Sequence, residues 1–263
     1  MSVSHWNALY QAWSRMSSPP RVPAEVLAGL RRRVFELPGH VLVLGVTPDL
    51  AHVGSDVTAV DSSMSVVRTV WPGDAPTRRA IVGDWLQLPF AAGTFSVCVG
   101  DGTVNALGYP DQVKSLFEGL ARVLRAGGEV LCRVFLTPDI GETITAVKMA
   151  TLRGEIRRFQ AFKFRLAMAI VAEAAEPNIR VRVIHDVFEA TFGDRNRLAE
   201  ATGWDRAEID TIDVYGSSSV AYSFPTREQC LAVVPEVFSN ARVVPVGTYE
   251  LAERCPLLVM ERA

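Results

Sequence analysis

The sequence is poor in the residues that carry most metal and nucleophile chemistry. Four cysteines stand among 263 residues, none in a CxxC pair and none spaced with histidine as zinc ligands are. That argues against both a disulfide framework and a zinc site. Cys98 and Cys132 fall in runs expected to be strands and read as small buried thiols. Histidine occurs only at positions 5, 40, 52 and 185, and there is no HExxH, P-loop or nucleophile elbow. Neither sign of charge is in excess: Lys plus Arg total 27 against 29 Asp plus Glu, for a net charge of −2. The chain therefore has no global attraction for nucleic acid or an anionic membrane. Its longest fully apolar run in the helical middle, Leu166 to Ala172, is far too short to span a bilayer. The first residues, MSVSHWNALY, lack a basic region followed by an apolar core, so no secretory signal is expected and a cytoplasmic location is. Internal repeats and low-complexity segments are likewise missing.

What is present is an ordinary globular balance, 49% hydrophobic and 21% charged, with ample material for a core. The chain is organised around HVLVLGVTPDLAHVGSDVTAVDSS, residues 40–63. Val41 to Leu44 is an unbroken aliphatic run, as in a strand buried on both faces of a parallel sheet. Gly45 follows, where the backbone must turn or approach a ligand. Val57 to Val60 is the next β-branched run, with Asp61 at its carboxyl end. Ligands of open α/β sheets bind outside those ends, so Asp61 is placed to accept hydrogen bonds from ribose hydroxyls. The loop does not suit a pyrophosphate, because Pro48 removes an N–H donor and Asp49 adds negative charge.

Residues 1–36 form two predicted helices broken by Ser17-Ser18-Pro19-Pro20. Trp6, Leu9, Tyr10 and Trp13 share one helical face, expected to pack on the core, with a lid as the alternative. Arg31, Arg32 and Arg33 read as a solvated helix end. Further strands are predicted at Arg79 to Val82, Phe95 to Val99 and Glu129 to Phe135, with helices at Ser62 to Val70 and Pro110 to Leu124. Ala126-Gly127-Gly128 is expected to end the latter helix in the left-handed region. This alternation means βαβ units and a parallel sheet. It stops at residues 137–223, read as an inserted cap with helices at Ile140 to Arg153, Glu155 to Glu176 and Val183 to Ala201 and a β-like segment at Ile209 to Tyr215. Within it Ile156, Phe159, Phe162, Leu166, Ile170 and Val171 form an apolar stripe, and Arg157, Arg158, Lys163 and Arg165 are expected to point elsewhere. Thr226 to Phe238 is a predicted helix. Ala241 to Val246 and Leu257 to Glu261, joined without a crossover helix, should pair antiparallel at the sheet edge. The fold class is thus α/β, a doubly wound, mostly parallel seven-stranded sheet with an antiparallel C-terminal hairpin strand and an inserted, mainly helical cap. Residues 37–136 and 224–263 are its core, and 1–36 cover it.

Five segments together resemble the class I S-adenosylmethionine-dependent methyltransferases: VLVLGVTPDL, VTAVDSSMSVV, IVGDWLQLPF, TFSVCVGDGTVNAL and LARVLRAGGEVLCRVF. The resemblance covers roughly 40–135 plus 226–262. It implies S-adenosylmethionine as the cofactor, held by Gly45, Thr47, Asp61, Ser62, Met64, Asp84, Trp85, Gly100 and Asp101. Asp61 would bind the ribose hydroxyls and Met64 would cover the adenine. Asp84 and the Trp85 backbone N–H would meet the adenine edge, and Gly100 and Asp101 would line the methionyl end. A final antiparallel pair fits this family and not a nicotinamide dehydrogenase.

Methyl transfer from a sulfonium is an in-line displacement on an activated carbon, so a general base is needed only for a protonated acceptor. His185, beside Asp186, is a weak candidate for that base, and Tyr10, Tyr215 and Tyr222 are possible substrate contacts. The strand-four exit, GDGT, lacks the Asn/Asp-Pro-Pro-aromatic signature of nucleic-acid amino-methyltransferases, which with the neutral charge favours a small-molecule acceptor. Neither a nucleic-acid nor a membrane partner is expected. Val43, Thr47 and Asp49 stand where the family has an acid and two glycines, and this keeps open a non-catalytic, methyltransferase-like binding or scaffold protein.

Overall fold

The computed structural model describes residues 3–263; the first two residues of the segment assigned to 1–36 lie outside it. Its strands are β1 Val41–Leu44, β2 Val57–Asp61, β3 Arg78–Val82, β4 Phe95–Asp101, β5 Leu124–Arg133, β6 Asn178–Arg180, β7 Ala221–Ser223, β8 Phe238–Val244 and β9 Leu257–Arg262. Seven of them build one sheet in the order β3-β2-β1-β4-β5-β9-β8, and β6 pairs with β7 separately. The first five run parallel, while β9 is antiparallel to β5 and β8 to β9. The winding reverses between β1 and β4, so the crevice for a ligand opens beyond the carboxyl ends of those two strands.

Burial follows position in the sheet. Every residue of the central β1 is buried, whereas no residue of the edge strand β3 is fully buried, the edge strand β8 exposes alternate residues, and the two carry the exposed Arg79 and Arg242. Charge on an edge discourages pairing with another chain. The two-residue period of β1 divides its side chains between the faces. Val41 and Val43 meet Val26, Leu30 and Val34 of one helix, while Leu42 and Leu44 meet Leu116, Phe117 and Leu120 of the helix on the opposite face. The helices of this layer are α1 Val3–Gln11, α2 Ala24–Glu36, α3 Met64–Val70 and α4 Asp111–Val123. Arg33 is not simply solvated, since its guanidinium pairs with the buried carboxylate of Glu129 as well as with Glu36.

The end of α4 departs from the expected left-handed cap. Leu124 is extended (φ −78°, ψ 142°), and the chain passes straight into β5. Gly127 (φ 71°) lies inside that strand, where its pairing with β4 shifts between Phe95 and Val97. Gly128 is needed there because a Cβ would sit 2.9 Å from the Arg125 carbonyl and 3.0 Å from that of Ser96.

Between β5 and β7 lie α5 Ile144–Leu152, α6 Phe159–Ala174, α7 Val181–Phe192 and α8 Arg195–Thr202. The single helix expected over Val183 to Ala201 is broken at Gly193, and Asp194 caps the second piece by accepting from the Asn196 and Arg197 N–H groups at 3.0 Å. The β-like segment Ile209 to Tyr215 is a series of short helical turns, Arg206–Ile209, Asp210–Ile212 and Asp213–Gly216. Ile209, Ile212 and Tyr215 are buried at a spacing of three, which is helical rather than alternating. Only Arg227–Ala232 of the helix expected over Thr226 to Phe238 is helical, opened by a Thr226/Gln229 capping box, and the following strand starts at Phe238 rather than Ala241. The pair β6–β7 was not expected.

Asn105 joins these helices to the sheet. Its amide donates to the Phe135 and Ser223 carbonyls, both at 2.7 Å, and its carbonyl accepts from the Phe135 N–H at 2.9 Å, all of it buried. Asn105→Ala leaves one buried donor and two buried acceptors without a partner, so equilibrium urea unfolding should show a loss of about 3 kcal/mol. A loss within error of zero would mean that the joint does not depend on this amide.

Candidate functional site

Three residues selected from the sequence meet at the crevice because each ends a strand at its carboxyl side. Gly45 leaves β1 at φ +89°, a conformation that L side chains rarely adopt, with its N–H donating to the Val60 carbonyl at 2.8 Å. Asp61 ends β2, and its carboxylate accepts from the Ser63 N–H at 2.9 Å. Burial raises the Asp61 pKa, and hydrogen bonds from the Ser63 and Val46 N–H groups act against that rise. Asp101 ends β4. Together with Thr47, Trp85 and Thr103 these residues line an inner compartment of about 60 Å³, which Trp6 and Tyr10 of α1 also enter. The Trp85 indole donates to the Val60 carbonyl at 2.8 Å, and a Cβ on Gly45 would touch its ring at 3.6 Å.

An outer compartment of about 100 Å³ continues from the inner one and shares Trp6, Tyr10, Thr47, Asp101 and Gly102 with it. Many of its walls are aromatic, and Lys163 and Tyr215 come from the segment between β5 and β7, Tyr222 from β7 itself. The Asp101 carboxylate faces a cation of the chain itself. Arg133, wholly buried at the end of β5, grips it through Nε and Nη2, and its Nη2 also reaches the Pro19 carbonyl at 2.7 Å. The Arg133 Nη1 donates to the Tyr249 hydroxyl at 3.1 Å. Burial raises the Tyr10 phenol pKa, and the negative charge of Asp61 raises it further.

Lys163 is 2% exposed, and its ammonium lies 4.8 Å from the centre of the Tyr215 ring. Burial pulls its pKa down from 10.5 to about 7, with Glu208 acting in the opposite direction. His5 of α1 shares a 2.9 Å hydrogen bond with the Tyr222 hydroxyl, and burial, with Lys163 adding to it, pushes the imidazole down to about 4.

The structure therefore brings Gly45, Thr47, Asp61, Trp85 and Asp101 together, and it brings Tyr10, Tyr215 and Tyr222 to the same cavity. Five other candidates lie outside both compartments. Ser62 is exposed, and Met64, at 49% exposure, covers nothing. The exposed Asp84 caps the turn Trp85–Gln87 by accepting from the Leu86 N–H at 3.0 Å. Gly100 is a packing glycine, since a Cβ there would come within 2.6 Å of the Thr103 hydroxyl and 2.8 Å of the Cys132 sulfur. His185 sits on α7 against Gly216, with Asp186 at 3.1 Å and Asp213 at 3.8 Å, and faces neither compartment. His185, Glu189 and Asp213 form a cluster with metal-ligand spacing, but Arg195 donates to both carboxylates.

Arg133 is not among the residues selected from the sequence, and Lys163 does not lie where its charge suggests. Lys163 does not point away from the apolar stripe. It follows Phe159 by four residues and precedes Leu166 by three, a spacing that places it on the buried face. The Trp6, Tyr10 and Trp13 side chains pack against buried apolar clusters, as expected of that face, and they also line the cavity.

Residues 45–132 match the family model described as a methyltransferase domain. S-adenosylmethionine-dependent methyltransferases of known structure from Mesorhizobium loti and Methanosarcina mazei superpose on 91% and 92% of this chain and on 98% of each of theirs. Their identities are 16% and 11%, and the TM-score is 0.52 for each. A Rhodobacter sphaeroides structure provisionally described as a zinc-dependent alcohol dehydrogenase superposes on 99% of this chain and 97% of its own, at 16% identity and a TM-score of 0.63. At these identities the likeness is one of fold, and that fold is the class I methyltransferase sheet with its antiparallel β9. No curated protein matches the sequence.

The depressed Lys163 pKa sets a pH dependence of stability. Below about 7 both folded and unfolded chains hold the proton, and the folded one carries the full cost of a buried charge. Between about 7 and 10.5 the folded chain has released the proton that the unfolded chain still binds, so folding stability rises with pH. Lys163→Met removes this dependence. In denaturant melts the variant should exceed wild type in acid, and the gap should close by about 1.4 kcal/mol per pH unit across that window. A gap that stays constant from pH 7 upward contradicts the assignment.

Proposed function

We propose that this chain, which has the class I methyltransferase fold and a methyltransferase-domain match over residues 45–132, uses the crevice to bind S-adenosylmethionine and methylate a small molecule. One observation carries the proposal: Gly45, Thr47, Asp61, Trp85 and Asp101 converge on a compartment that opens directly into a second, aromatic one. The polar atoms around it suit the cofactor. Thr103 Oγ1 and Trp6 Nε1 are buried without hydrogen-bond partners among the described residues, and burying such groups unmatched is costly. Asp61 would take the ribose hydroxyls, whose two donors suit a carboxylate that burial has already made less acidic. Asp61 places a carboxylate at the inner compartment, favourable to a ligand that carries a sulfonium and an ammonium.

The cofactor supplies a methyl group already activated on positive sulfur. The chain's own contribution is to orient the acceptor and to keep water out. Trp6, Tyr10 and Trp13 form the roof of the compartments, and Phe135, Phe164 and Phe224 help to close the outer one. Such an enclosed, apolar cavity supports a small acceptor rather than a polymer.

The alternative of a non-catalytic binding or scaffold protein is favoured by a single observation, that the inner compartment, lined by Trp6 and Tyr10, measures only about 60 Å³. Calorimetry separates the two readings. S-adenosylhomocysteine should bind the full chain with quenching of tryptophan fluorescence, and Asp61→Ala should weaken it at least tenfold. No heat and no quenching at saturating ligand would leave only the scaffold.

A further inference from the structure

Helix α6 is buried nearly all round, and Lys163 is the one cation among its fully buried side chains. A buried ammonium is normally paired with a carboxylate or held by several acceptors. Among the described residues Lys163 has neither a hydrogen bond nor an ion pair, and its one specific contact is the face of the Tyr215 ring. The amine borders the outer compartment. The other strongly polar groups of that wall are already engaged: Asp101 by Arg133, and the Asn105 amide by Phe135 and Ser223. The titratable groups around Lys163 are His5 from α1, Glu208 from the turn beyond α8, and the two tyrosines 215 and 222. None supplies a close counter-charge. Apart from the Tyr215 ring contact, nothing offsets the stability that the buried ammonium costs, as expected of a group kept for a ligand.

The shape and charge of the compartment define that ligand. Flat walls from Trp6, Tyr10, Phe135 and Phe164 suit a planar ring. The volume of about 100 Å³ approaches that of an apolar cavity holding benzene, about 150 Å³. An amine acceptor would bring a further positive charge beside a lysine and a sulfonium, whereas an oxygen anion is attracted by both. A carboxylic acid ionises unaided, but an aromatic hydroxyl needs a base, and a lysine tuned toward neutrality is suited to the task.

We propose that the outer compartment takes a small phenol, that the Lys163 amine accepts its hydroxyl proton, and that the resulting ammonium holds the phenolate. The O–H bond breaks, the proton forms an N–H bond on the neutral amine, and the electron pair stays on oxygen. That oxygen forms the new C–O bond as the S–CH₃ bond breaks with its electron pair going to sulfur, which leaves a neutral thioether. The proton on Lys163 passes to solvent when the product leaves. The transfer step rests on the methyl-transfer reading of the inner compartment, whereas binding and ionisation of the phenol do not.

The probe is para-nitrophenol, whose phenolate absorbs visible light and whose neutral form does not. In neutral buffer, where a good part of the Lys163 amine is free of its proton and part of the free phenol is still un-ionised, full-length wild-type protein should enlarge the phenolate band on binding. Lys163→Met should lose the band and weaken binding at least tenfold while melting no lower than wild type, which a purely structural lysine would not allow. Lys163→Gln provides the same comparison should the methionine variant fold poorly. Lys163→Arg, charged at every pH, can hold a phenolate but cannot take its proton, so any band it forms should come with release of one proton to the buffer, whereas wild type takes that proton up on the amine. A wild-type protein that binds no phenolate, a Met or Gln variant that keeps the band, or benzoate binding as tightly as the phenol overturns the proposal. S-adenosylhomocysteine calorimetry on the same samples separates the two failures. Cofactor binding without a phenolate band removes the phenol proposal alone, and a band without cofactor binding removes the methyl-transfer reading and the transfer step with it.

Discussion

The buried pair between Asp101 and Arg133 is the contact on which the crevice depends. These residues stand opposite each other at the ends of neighbouring parallel strands, β4 and β5, so the sheet register alone brings them together. Arg133 lies near the rings of Phe135 and Tyr249, at 5.2 Å and 5.8 Å from their centres. A guanidinium so placed needs its donors met, and they are met from three parts of the chain: Asp101, the Pro19 carbonyl before α2, and the Tyr249 hydroxyl before β9. The pair therefore fixes the floor of the site and ties the N-terminal segment to it. Removing one partner of such a pair leaves an uncompensated charge, a loss on the order of 3–5 kcal/mol.

A second consequence concerns access. With Pro19 anchored to Arg133, the aromatic face of α1 is laid over the strand ends, and Trp6 and Tyr10 reach into the inner compartment. The cavity in this conformation is well below the roughly 300 Å³ at which ligand pockets begin. A ligand as large as the proposed cofactor would enter only if α1 moved, and its apparent affinity would then be reduced by the fraction of chains in which α1 had moved.

The sheet was legible in the sequence because parallel central strands are apolar along their whole length. Val41 to Leu44 could be little else, and Asp61 followed from its place at a strand end. The C-terminal antiparallel pair was legible from the lack of room for a crossover helix between Gly247 and Pro256. Elsewhere the local signal was ambiguous. Ile209 to Tyr215 is rich in β-branched residues, and only its three-residue burial spacing reveals helical turns. Lys163 was assigned outward by its charge, although its helical phase places it inward. Arg133 was hidden inside an apolar strand, where nothing local announces a partner on the next strand. His185 looked chemical beside Asp186, but α7 turns it toward Gly216. Residue type suggested the chemistry, and tertiary placement decided which residues could perform it.

The most direct test of the central claim is a crystal structure of the protein with S-adenosylhomocysteine. The account predicts the nucleoside at the carboxyl ends of β1 and β2, its ribose on the Asp61 carboxylate, with Trp6 and Tyr10 displaced from the inner compartment and the Asp101–Arg133 pair intact. A ligand bound elsewhere, or a crevice still filled by Trp6 and Tyr10 at saturating ligand, would contradict it.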